Sequence, residues 1–294
     1  MKSGFVSIVG RPNVGKSTLL NAIIDRKVAI TSNVAGTTRN LIEGIYTKDD
    51  TQIIFVDTPG ISKPLDKLGK LMNKQAYSQT IDVDIVLLVV DIASGIGKGD
   101  KYLMDLLLEK EIPVILVINK IDKVPKDTLI MAINEYKDYP FQEIVPVSAL
   151  EDDNISHLIS VIKKYLKDEV KYYNDDVVTS LTVPFMVSEL VREKLLQNTK
   201  EEIPHSITCY CTNIENKKDI VNINIDIIVD KQNIKKIIIG AGGEMLKKIG
   251  SLARKDIEEM FGKKVYLELY VKVIENWKDK EKYLKELGFF DNYE

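Results

Sequence analysis

The residues with the clearest chemistry lie near the N-terminus, in the run Gly10-Arg11-Pro12-Asn13-Val14-Gly15-Lys16-Ser17-Thr18. Its two glycines can adopt backbone angles that other residues avoid, so successive N–H groups can turn inward around phosphate oxygens. Lys16 adds a mobile positive charge for the outer phosphates, and the Ser17 hydroxyl is a ligand for Mg²⁺. The run predicts a phosphate-binding loop whose nucleotide-binding residues are Asn13, Val14, Gly15, Lys16, Ser17 and Thr18.

Such a loop needs a strand before it and a helix after it. Residues 5–9 form a short apolar run typical of a buried strand, and residues 18–24 have the apolar spacing of a helix. The helix N-terminus adds its own backbone N–H groups to a phosphate site. A glycine turn that binds nothing is the alternative, and the strand–loop–helix order argues against it.

Two later segments offer oxygen and N–H groups to the same site. Residues 51–56 predict the second strand of a hairpin, and this strand ends at Asp57-Thr58-Pro59-Gly60. Ligands bind at the C-terminal ends of strands in α/β sheets, so Asp57 can hold Mg²⁺ through water and the Gly60 N–H can meet a γ-phosphate. A Thr hydroxyl from the polar loop 31–39 can complete the Mg²⁺ shell while that phosphate is present. Each segment taken alone is also typical of a connecting turn.

A third group of polar residues predicts selection of a base. Residues 83–91 and 112–118 form apolar runs typical of buried parallel strands, and Asn119-Lys120-Ile121-Asp122 follow the second run. Guanine presents two adjacent N–H donors to a carboxylate and adenine presents none, so Asp122 favours guanine. Asn119 can bond the purine edge, and Lys120 can lie along the base. A polar surface loop is the alternative interpretation.

A further strand, predicted at 143–147, ends close to the same base. The nucleotide-binding residues that we expect after it are Ser148, Ala149 and Leu150, whose backbone N–H groups can reach the guanine O6.

The composition is that of about two domains in a reducing cytoplasm. The chain has 294 residues and a formal net charge of −3. Cys209 and Cys211 have too few His or Cys neighbours to complete a metal site, so we expect small packing residues, with a redox pair as the alternative. The N-terminus leads directly into the first predicted strand without a signal peptide, and no apolar run approaches the ~20 residues of a membrane span.

The pattern changes after the first 170 residues. A charged, tyrosine-rich stretch at 171–182 predicts a linker between a first domain, 1–170, and a second domain with a C-terminal tail, 183–294. In the second domain the predicted order is an amphipathic helix, two antiparallel strands, a helix, Gly240-Ala241-Gly242-Gly243, a helix and a strand.

Charge in the second domain is concentrated around this glycine turn. Residues 231–264 contain nine basic and four acidic side chains, in a chain whose total charge is negative. Such a concentration suits contacts with phosphates, although surface lysines often only solvate a helix.

The peptides that begin at Gly10, Asp57, Asn119 and Ser148 resemble, in this order, those of the translation-factor class of P-loop GTPases. The resemblance covers 1–170 and implies an α/β fold with a mostly parallel sheet that binds GTP or GDP and Mg²⁺. It implies that residues 58–80 form a mobile switch. The metal ligands that it implies for Mg²⁺ are Ser17, Thr38 and Asp57, and the catalytic residues are Lys16, Thr38 and Gly60.

Two positions bear on the rate of hydrolysis. Ile61 occupies the place where Ras-like enzymes carry a glutamine that orients the attacking water, so we expect a slow intrinsic rate or another catalytic group. Asn13, with residues 32–38, resembles the arrangement with which some relatives bind K⁺ beside the β- and γ-phosphates. Asn is also tolerated at that position without K⁺.

The element order of the second domain resembles an α+β type II KH domain, an RNA-binding module. In such a domain the glycine turn lets an RNA backbone approach, and the helices beside it form a groove for about four nucleotides. The RNA-binding residues are then expected to be Lys235, Lys236, Gly240, Ala241, Gly242, Gly243, Lys247, Lys248 and Arg254.

A P-loop GTPase followed by a type II KH domain resembles the Era family of bacterial GTPases over nearly the whole chain. Further peptides that carry the resemblance are 192–196, 201–206, 239–243, 253–258 and 277–289. The resemblance implies a GTP-hydrolysing switch that binds the 3′ end of small-subunit ribosomal RNA and acts in assembly of the small ribosomal subunit. No DNA partner is expected.

Two other classes of function remain open from the sequence. An RNA-binding assembly scaffold with a structural nucleotide is favoured by Ile61. A membrane-associated signalling GTPase is the second, because relatives have been linked to the inner membrane surface. The chain has no lipidation motif and no strongly basic amphipathic helix, so we expect a cytoplasmic protein with at most weak peripheral association with the inner face of the membrane.

Overall fold

The computed structural model describes residues 1–290, and the last four residues of the predicted second domain, 291–294, lie outside the described residues. Within it the chain forms two compact units. The first comprises Met1–Thr31, Ala35–Leu65 and Gly69–Ser180, and the second comprises the chain from Leu181 onward together with Ser32–Val34 and Asp66–Leu68.

The first unit is built on a six-stranded sheet. Its strands are β1 (Lys2–Val9), β2 (Ile42–Lys48), β3 (Thr51–Asp57), β4 (Ile85–Asp91), β5 (Val114–Asn119) and β6 (Glu143–Pro146). Their order is β2-β3-β1-β4-β5-β6, and every neighbouring pair is parallel except the β2–β3 hairpin. The parallel strands end at one edge of the sheet, so the loops that follow them meet there.

Helices complete the first unit. They are α1 (Lys16–Ile24), α2 (Lys67–Ser78), α3 (Lys98–Leu108), α4 (Lys126–Tyr136) and α5 (Ile155–Ile162). The first two residues of α2 are grouped with the second unit. Every residue of β3, β4 and β5 is buried, which explains why these strands are nearly continuous apolar runs.

Sequence patterns did not predict α2 or α4. On α4, Ile130 and Met131 are more than half exposed, so its apolar residues do not mark a single buried face. Helix α2 lies inside the segment 58–80, for which the resemblance implied only a mobile switch. Strand β2 begins at Ile42, and the preceding polar residues Thr37, Thr38 and Arg39 are buried in a loop.

The stretch predicted as a linker, 171–182, is hydrogen-bonded to the first unit over much of its length. The Gln52 side chain of β3 accepts the backbone N–H groups of Tyr172 and Tyr173 and donates to the Tyr173 carbonyl. Further along, the Ile45 N–H of β2 donates to the Val178 carbonyl. Residues as far as Ser180 therefore belong to the first compact unit.

The second unit packs helices on one three-stranded sheet. Its elements are α6 (Val183–Asn198), β7 (Ile207–Asn216), β8 (Ile220–Val229), α7 (Gln232–Ile239), α8 (Glu244–Phe261), β9 (Lys264–Val273) and α9 (Glu281–Glu286). Strand β8 lies in the centre, antiparallel to β7 and parallel to β9. The parallel pair needs a long crossover, and α7 and α8 supply it. Buried residues such as Leu195, Ile225 and Ile257 form the core.

Two further expectations concern the cysteines and membrane spans. Cys209 and Cys211 are buried on β7 and remain thiols, and no group of three His, Cys, Asp or Glu side chains in residues 1–290 is arranged to hold a metal ion. None of the helices in these residues combines the length and hydropathy that crossing a bilayer requires.

Candidate functional site

The phosphate-binding loop connects β1 to α1 at the edge where the parallel strands end. Gly15, the N-cap of α1, has a φ of 97°, and a side chain there would overlap the Asn119 amide nitrogen. That amide instead donates to the Val14 carbonyl at 2.9 Å. Glycine is required at position 15 because the loop is left-handed there and touches the residue predicted to bind the base.

Lys16 is buried beneath the loop, where backbone carbonyl oxygens accept its hydrogen bonds. Its Nζ donates to the carbonyls of Gly10 and Arg11 at 3.2 and 3.0 Å. Burial lowers the pKa of Lys16 to about 8, although the neighbouring Asp57 raises it. The ammonium group is therefore held against the backbone of the loop, and anionic oxygens bound there would stabilise its charged form.

Three oxygen-bearing side chains from separate segments converge beside Lys16. Ser17 Oγ donates to Asp57 Oδ2 at 2.5 Å and lies 2.8 Å from Thr38 Oγ1. Burial raises the pKa of Asp57 to about 6, against the opposing effects of Lys16, Ser17 and Thr38. The other carboxylate oxygen, Asp57 Oδ1, is buried and has no hydrogen-bond partner in the part of the chain that is described.

These oxygens fit Mg²⁺, which takes hard oxygen ligands and binds through one or two carboxylates together with substrate phosphates. The unpartnered Asp57 Oδ1 is an acceptor that a metal-bound water can satisfy.

Gly60 and Ile61 lie directly against the phosphate-binding loop. A Cβ atom on Gly60 would lie 2.6 Å from the Pro12 nitrogen, so only glycine allows the two backbones to approach this closely. The Ile61 N–H donates to the Gly10 carbonyl at 3.2 Å. The Ile61 side chain, 7% exposed, packs in the core with Val9 and Ala76, so it is turned away from the loop.

The base-binding residues form a connected set at the ends of β5 and β6. Asn119 Oδ1 accepts the Ala149 N–H at 3.0 Å, and Ser148 Oγ donates to Asp122 Oδ1 at 2.6 Å. Asp122 and Leu150 are exposed, so their groups are open to a ligand. Thr18, the last of the predicted loop residues, lies in the first turn of α1 and is half-buried.

Lys120 joins the base-binding set to the phosphate-binding loop. Its backbone is left-handed, with a φ of 67°, and its Nζ donates to the Asn13 carbonyl at 2.7 Å. The same Nζ is paired with Asp91 Oδ2 at 2.6 Å. Burial raises the pKa of Asp91, but its bond and ion pair with Lys120 outweigh burial and the pKa is lowered.

Sequence reasoning missed Asp91, although it ends the predicted strand 83–91 and a carboxylate at a strand end was the signal used for Asp57. It also missed Asp100, whose partner is Arg11 of the phosphate-binding loop. The first site therefore contains two carboxylates that no motif marked.

The glycine turn of the second unit separates α7 from α8. Gly240, Gly242 and Gly243 have φ angles of 75°, 57° and 81°. A Cβ atom on Gly240 would lie 2.8 Å from Met245 Cβ, whereas nothing lies within 4 Å of the Cβ positions of Gly242 and Gly243. The turn is therefore constrained at its first glycine and open at the other two.

Basic groups flank this open turn on both helices. Lys235 of α7 is half-buried, and the exposed residues are Lys236, Lys247, Lys248 and Arg254, with Ala241 of the turn also exposed. Ile237 and Leu252, 47% and 40% exposed, add apolar surface to the same helices. Cations for phosphates and apolar surface for unstacked bases are what binding of single-stranded RNA requires.

Comparison with known proteins identifies the families that the two regions of the chain resemble. A family model described as a 50S ribosome-binding GTPase matches residues 5–120, and a model described as a KH domain matches residues 202–278. These matches and the two sheets confirm the predicted fold class, a P-loop GTPase domain with a mostly parallel sheet followed by a KH domain.

Two solved structures resemble the chain over nearly its full length. One is a single-substitution variant of Era from Aquifex aeolicus bound to GDP and AlF4⁻, with 40% identity, a TM-score of 0.94 and coverage of 98% of this chain and 99% of that one. The other is Era in complex with MgGDPNP and nucleotides 1506–1542 of 16S ribosomal RNA, with 40% identity, a TM-score of 0.95 and the same coverage. Identity at this level across both domains shows that the chain belongs to the Era family of GTPases.

Proposed function

We propose that this chain hydrolyses GTP to GDP and phosphate, binds the 3′ end of small-subunit ribosomal RNA, and acts as a switch in assembly of the small ribosomal subunit. One observation carries the enzymatic part: Ser17, Thr38 and Asp57 bring their side-chain oxygens together beside the buried ammonium group of Lys16. That set of groups binds a metal ion and phosphates together.

The nucleotide site divides between phosphates and base. The loop from Asn13 to Thr18 binds the phosphates, and the Gly60 N–H meets the terminal one. Guanine recognition belongs to Asn119, Lys120, Asp122, Ser148, Ala149 and Leu150. Ser17, Thr38 and Asp57 would hold Mg²⁺, Asp57 through water, and the ion would supply charge that neutralises the β- and γ-phosphates. Solved Era relatives that carry GDP with AlF4⁻ and MgGDPNP support this assignment.

Lys16, Thr38 and Gly60 are the catalytic residues in this proposal. Lys16 would bind the outer phosphates, Thr38 would complete the Mg²⁺ shell, and the Gly60 N–H would meet the γ-phosphate, so all three would respond to the loss of that phosphate. Because the Ile61 side chain lies in the core, no group at that position orients water, and we expect slow intrinsic hydrolysis. Asn13 would help to hold a K⁺ ion, which would supply additional positive charge in the transition state.

The RNA site of the proposal is the open glycine turn with its basic flanks. It consists of Lys235, Lys236, Gly240, Ala241, Gly242, Gly243, Lys247, Lys248 and Arg254. The Era relative bound to nucleotides 1506–1542 of 16S ribosomal RNA supports the 3′ end as the partner. The GTPase family model is described as binding the 50S subunit, which is the large one. The RNA in this Era structure belongs to the small subunit, so the partner that we propose is the small subunit.

Domain limits and location complete the proposal. The GTPase domain spans 1–170, a linker 171–182, and the KH domain with its tail 183–294. The protein works in the cytoplasm, with at most weak peripheral contact with the inner face of the membrane. Flotation with liposomes measures that contact.

The deciding experiment measures GTP hydrolysis with and without an RNA that carries the ribosomal 3′ end, in KCl and in NaCl at matched ionic strength. We expect the RNA to stimulate hydrolysis and NaCl to lower the rate. If RNA stimulates hydrolysis to the same rate in KCl and in NaCl, K⁺ has no role in hydrolysis, and the proposal of an RNA-coupled switch still holds.

Cosedimentation with isolated small and large subunits provides the partner control, and we expect binding to the small subunit. Negligible turnover with RNA, small subunit and K⁺ all present would overturn the switch in favour of an RNA-binding scaffold with a structural nucleotide. The burial of Ile61 is the observation that favours that second function.

A further inference from the structure

Arg11, at a position of the phosphate-binding loop that its motif leaves unspecified, points toward the start of α3. Its Nε donates to Asp100 Oδ1 at 2.8 Å, and its Nη2 lies 2.8 Å from Asp100 Oδ2. Nη2 also donates to the Gly95 carbonyl at 3.4 Å. Two parallel bonds between a guanidinium and a carboxylate fix the orientation of both groups, which a single bond from a lysine does not.

Asp100 lies in the first turn of α3, where the structure fixes its carboxylate. It is 1% exposed, and its Oδ2 accepts the Gly97 N–H at 2.8 Å, which caps the helix. A Cβ atom on Gly99 would lie 2.8 Å from Arg11 Cδ, so the arginine side chain passes over the helix start at a residue that has no side chain. A carboxylate buried this deeply needs a cation, and Arg11 provides it.

The backbone of Arg11 and Pro12 connects this ion pair to the groups that meet the phosphates. The Arg11 carbonyl accepts the Lys16 ammonium group at 3.0 Å. The next residue, Pro12, is the one against which Gly60 packs without room for a side chain. A shift of the Arg11 backbone therefore moves the carbonyl that accepts the Lys16 hydrogen bond, and it moves Pro12, against which Gly60 packs.

We infer that Asp100 is a positioning residue for the nucleotide site, acting through Arg11 to hold the phosphate-binding loop in its binding conformation. In this arrangement Arg11 is a structural brace and does not reach the transferring phosphate. Helix α3, which carries no motif of its own, thereby becomes part of the site. The inference rests on the proposed GTPase function and specifies which residues pre-organise its phosphate site.

The test compares the full-length variants D100N, R11K and R11K/D100N with wild type. Asn at 100 keeps an oxygen for the Gly97 N–H but loses one acceptor for Arg11, and Lys at 11 keeps the charge but loses the two-bond geometry. The matched control is E135Q, which breaks the exposed ion pair between Lys101, the next residue of α3, and Glu135 of α4. Dissociation of a fluorescent GDP analogue and GTP hydrolysis are measured, with the melting temperature of each nucleotide-free protein.

We expect D100N to release GDP about tenfold faster than wild type, because a charged hydrogen bond of this kind corresponds to about one factor of ten or more in an equilibrium constant. R11K should release GDP at the same rate as D100N. The release rate of the double variant should be within about twofold of either single variant, as expected for residues that act as one unit. E135Q should release GDP at the wild-type rate.

Three results would overturn the inference. The first is GDP release by D100N at the wild-type rate, with or without a lower melting temperature. The second is additive effects in the double variant. The third is faster hydrolysis by D100N at unchanged affinity, which would make Arg11 a cation that acts on the phosphate once released. If wild type itself binds no GDP, the proposed function fails and the ion pair is not the cause.

Discussion

Burial dominates the chemistry of Lys16 and Asp57 when no phosphate or metal is bound. Desolvation raises the pKa of Asp57 to about 6 and lowers the pKa of Lys16 to about 8, although each group favours the charged form of the other. Both charges therefore cost stability at neutral pH. The ligands that the site is shaped for would offset that cost, which links nucleotide binding to the stability of the first unit.

The sign of the Asp57 shift predicts the behaviour of D57N. The folded pKa of about 6 exceeds the ordinary aspartate pKa of 3.8, so the favourable contribution of Asp57 is complete below pH 3.8 and disappears as the pH rises through 6. We expect D57N, without nucleotide and in EDTA, to be more stable than wild type at pH 7, by at most about 3 kcal/mol for two pKa units. The loss of the counter-charge for Lys16 makes the gain smaller.

Urea unfolding at pH 7 and at pH 4 checks this prediction, and the difference between D57N and wild type should nearly vanish at pH 4. The same variant should bind Mg²⁺-dependent nucleotide more weakly. A D57N protein that is less stable than wild type at pH 7 would contradict the argument from burial.

The position of Ile61 leads to a second prediction at a single residue. Because its side chain packs in the core with Val9 and Ala76, I61Q buries an amide without partners. We expect the free energy of unfolding to fall by about 2 kcal/mol and the rate of GTP hydrolysis not to rise. Phosphate release and urea unfolding measure the two effects, with I61V as the apolar control. Faster hydrolysis by I61Q would show that the side chain can turn toward the nucleotide.

At the scale of elements, the glycine turn between α7 and α8 has two kinds of glycine. Gly240 packs its Cα against Met245, and Gly242 has open space around it. The first glycine is therefore needed for the fold of the turn. The second is free to serve as a place where an RNA backbone approaches.

This difference predicts opposite outcomes for two substitutions. We expect G240A to lower the melting temperature, because its Cβ meets Met245. We expect G242D to stay folded, since Asp tolerates a positive φ, and to weaken RNA binding about tenfold by placing a carboxylate beside phosphates. The control is G262D, at the other end of α8, where φ is 62° and nothing lies within 4 Å.

Fluorescence anisotropy with a labelled RNA 3′ end and thermal unfolding followed by circular dichroism separate the two effects. If G262D weakens RNA binding as much as G242D does, the general change in charge, and not the turn, would be responsible.

For the whole molecule, the net charge conceals its most basic region. The chain carries −3 overall, yet residues 231–264 have nine basic and four acidic side chains. We therefore expect RNA affinity to fall steeply with salt, because phosphate contacts release counterions. The salt dependence follows from the local concentration of basic side chains, which the net charge of the chain does not reveal.

A switch also requires that nucleotide and RNA binding be coupled through the whole chain. We expect the form bound to a non-hydrolysable GTP analogue to bind the RNA 3′ end about tenfold more tightly than the GDP form, which is a typical coupling between two sites. Anisotropy titrations at one fixed salt concentration measure it. Equal affinities would mean that GTP cannot shift the population of RNA-binding states, and the protein would act as a scaffold.

Some properties were determined by the sequence alone because the chemistry is local. The loop from Gly10 to Thr18, the Asn119–Asp122 peptide and the glycine turn each place their groups within a few consecutive residues, so residue type and spacing suffice. The apolar runs of β4 and β5 predicted a buried parallel sheet for the same reason. Helix α4 was missed because its apolar residues do not form a clear buried stripe. Helix α2 was missed because the resemblance implied only a mobile switch over 58–80.

Only the tertiary structure decided which of these groups meet. Arg11 and Asp100 are 89 residues apart in sequence, and their contact depends on β1 and β4 being neighbours in the sheet. Asp91 reaches Lys120 because β4 and β5 pair with Asp91 opposite Asn119. The burial of Ile61 and the hydrogen bonds that attach residues 172–178 to β2 and β3 are likewise products of packing. Composition and spacing describe what a residue can do, whereas strand order determines the partner with which it does so.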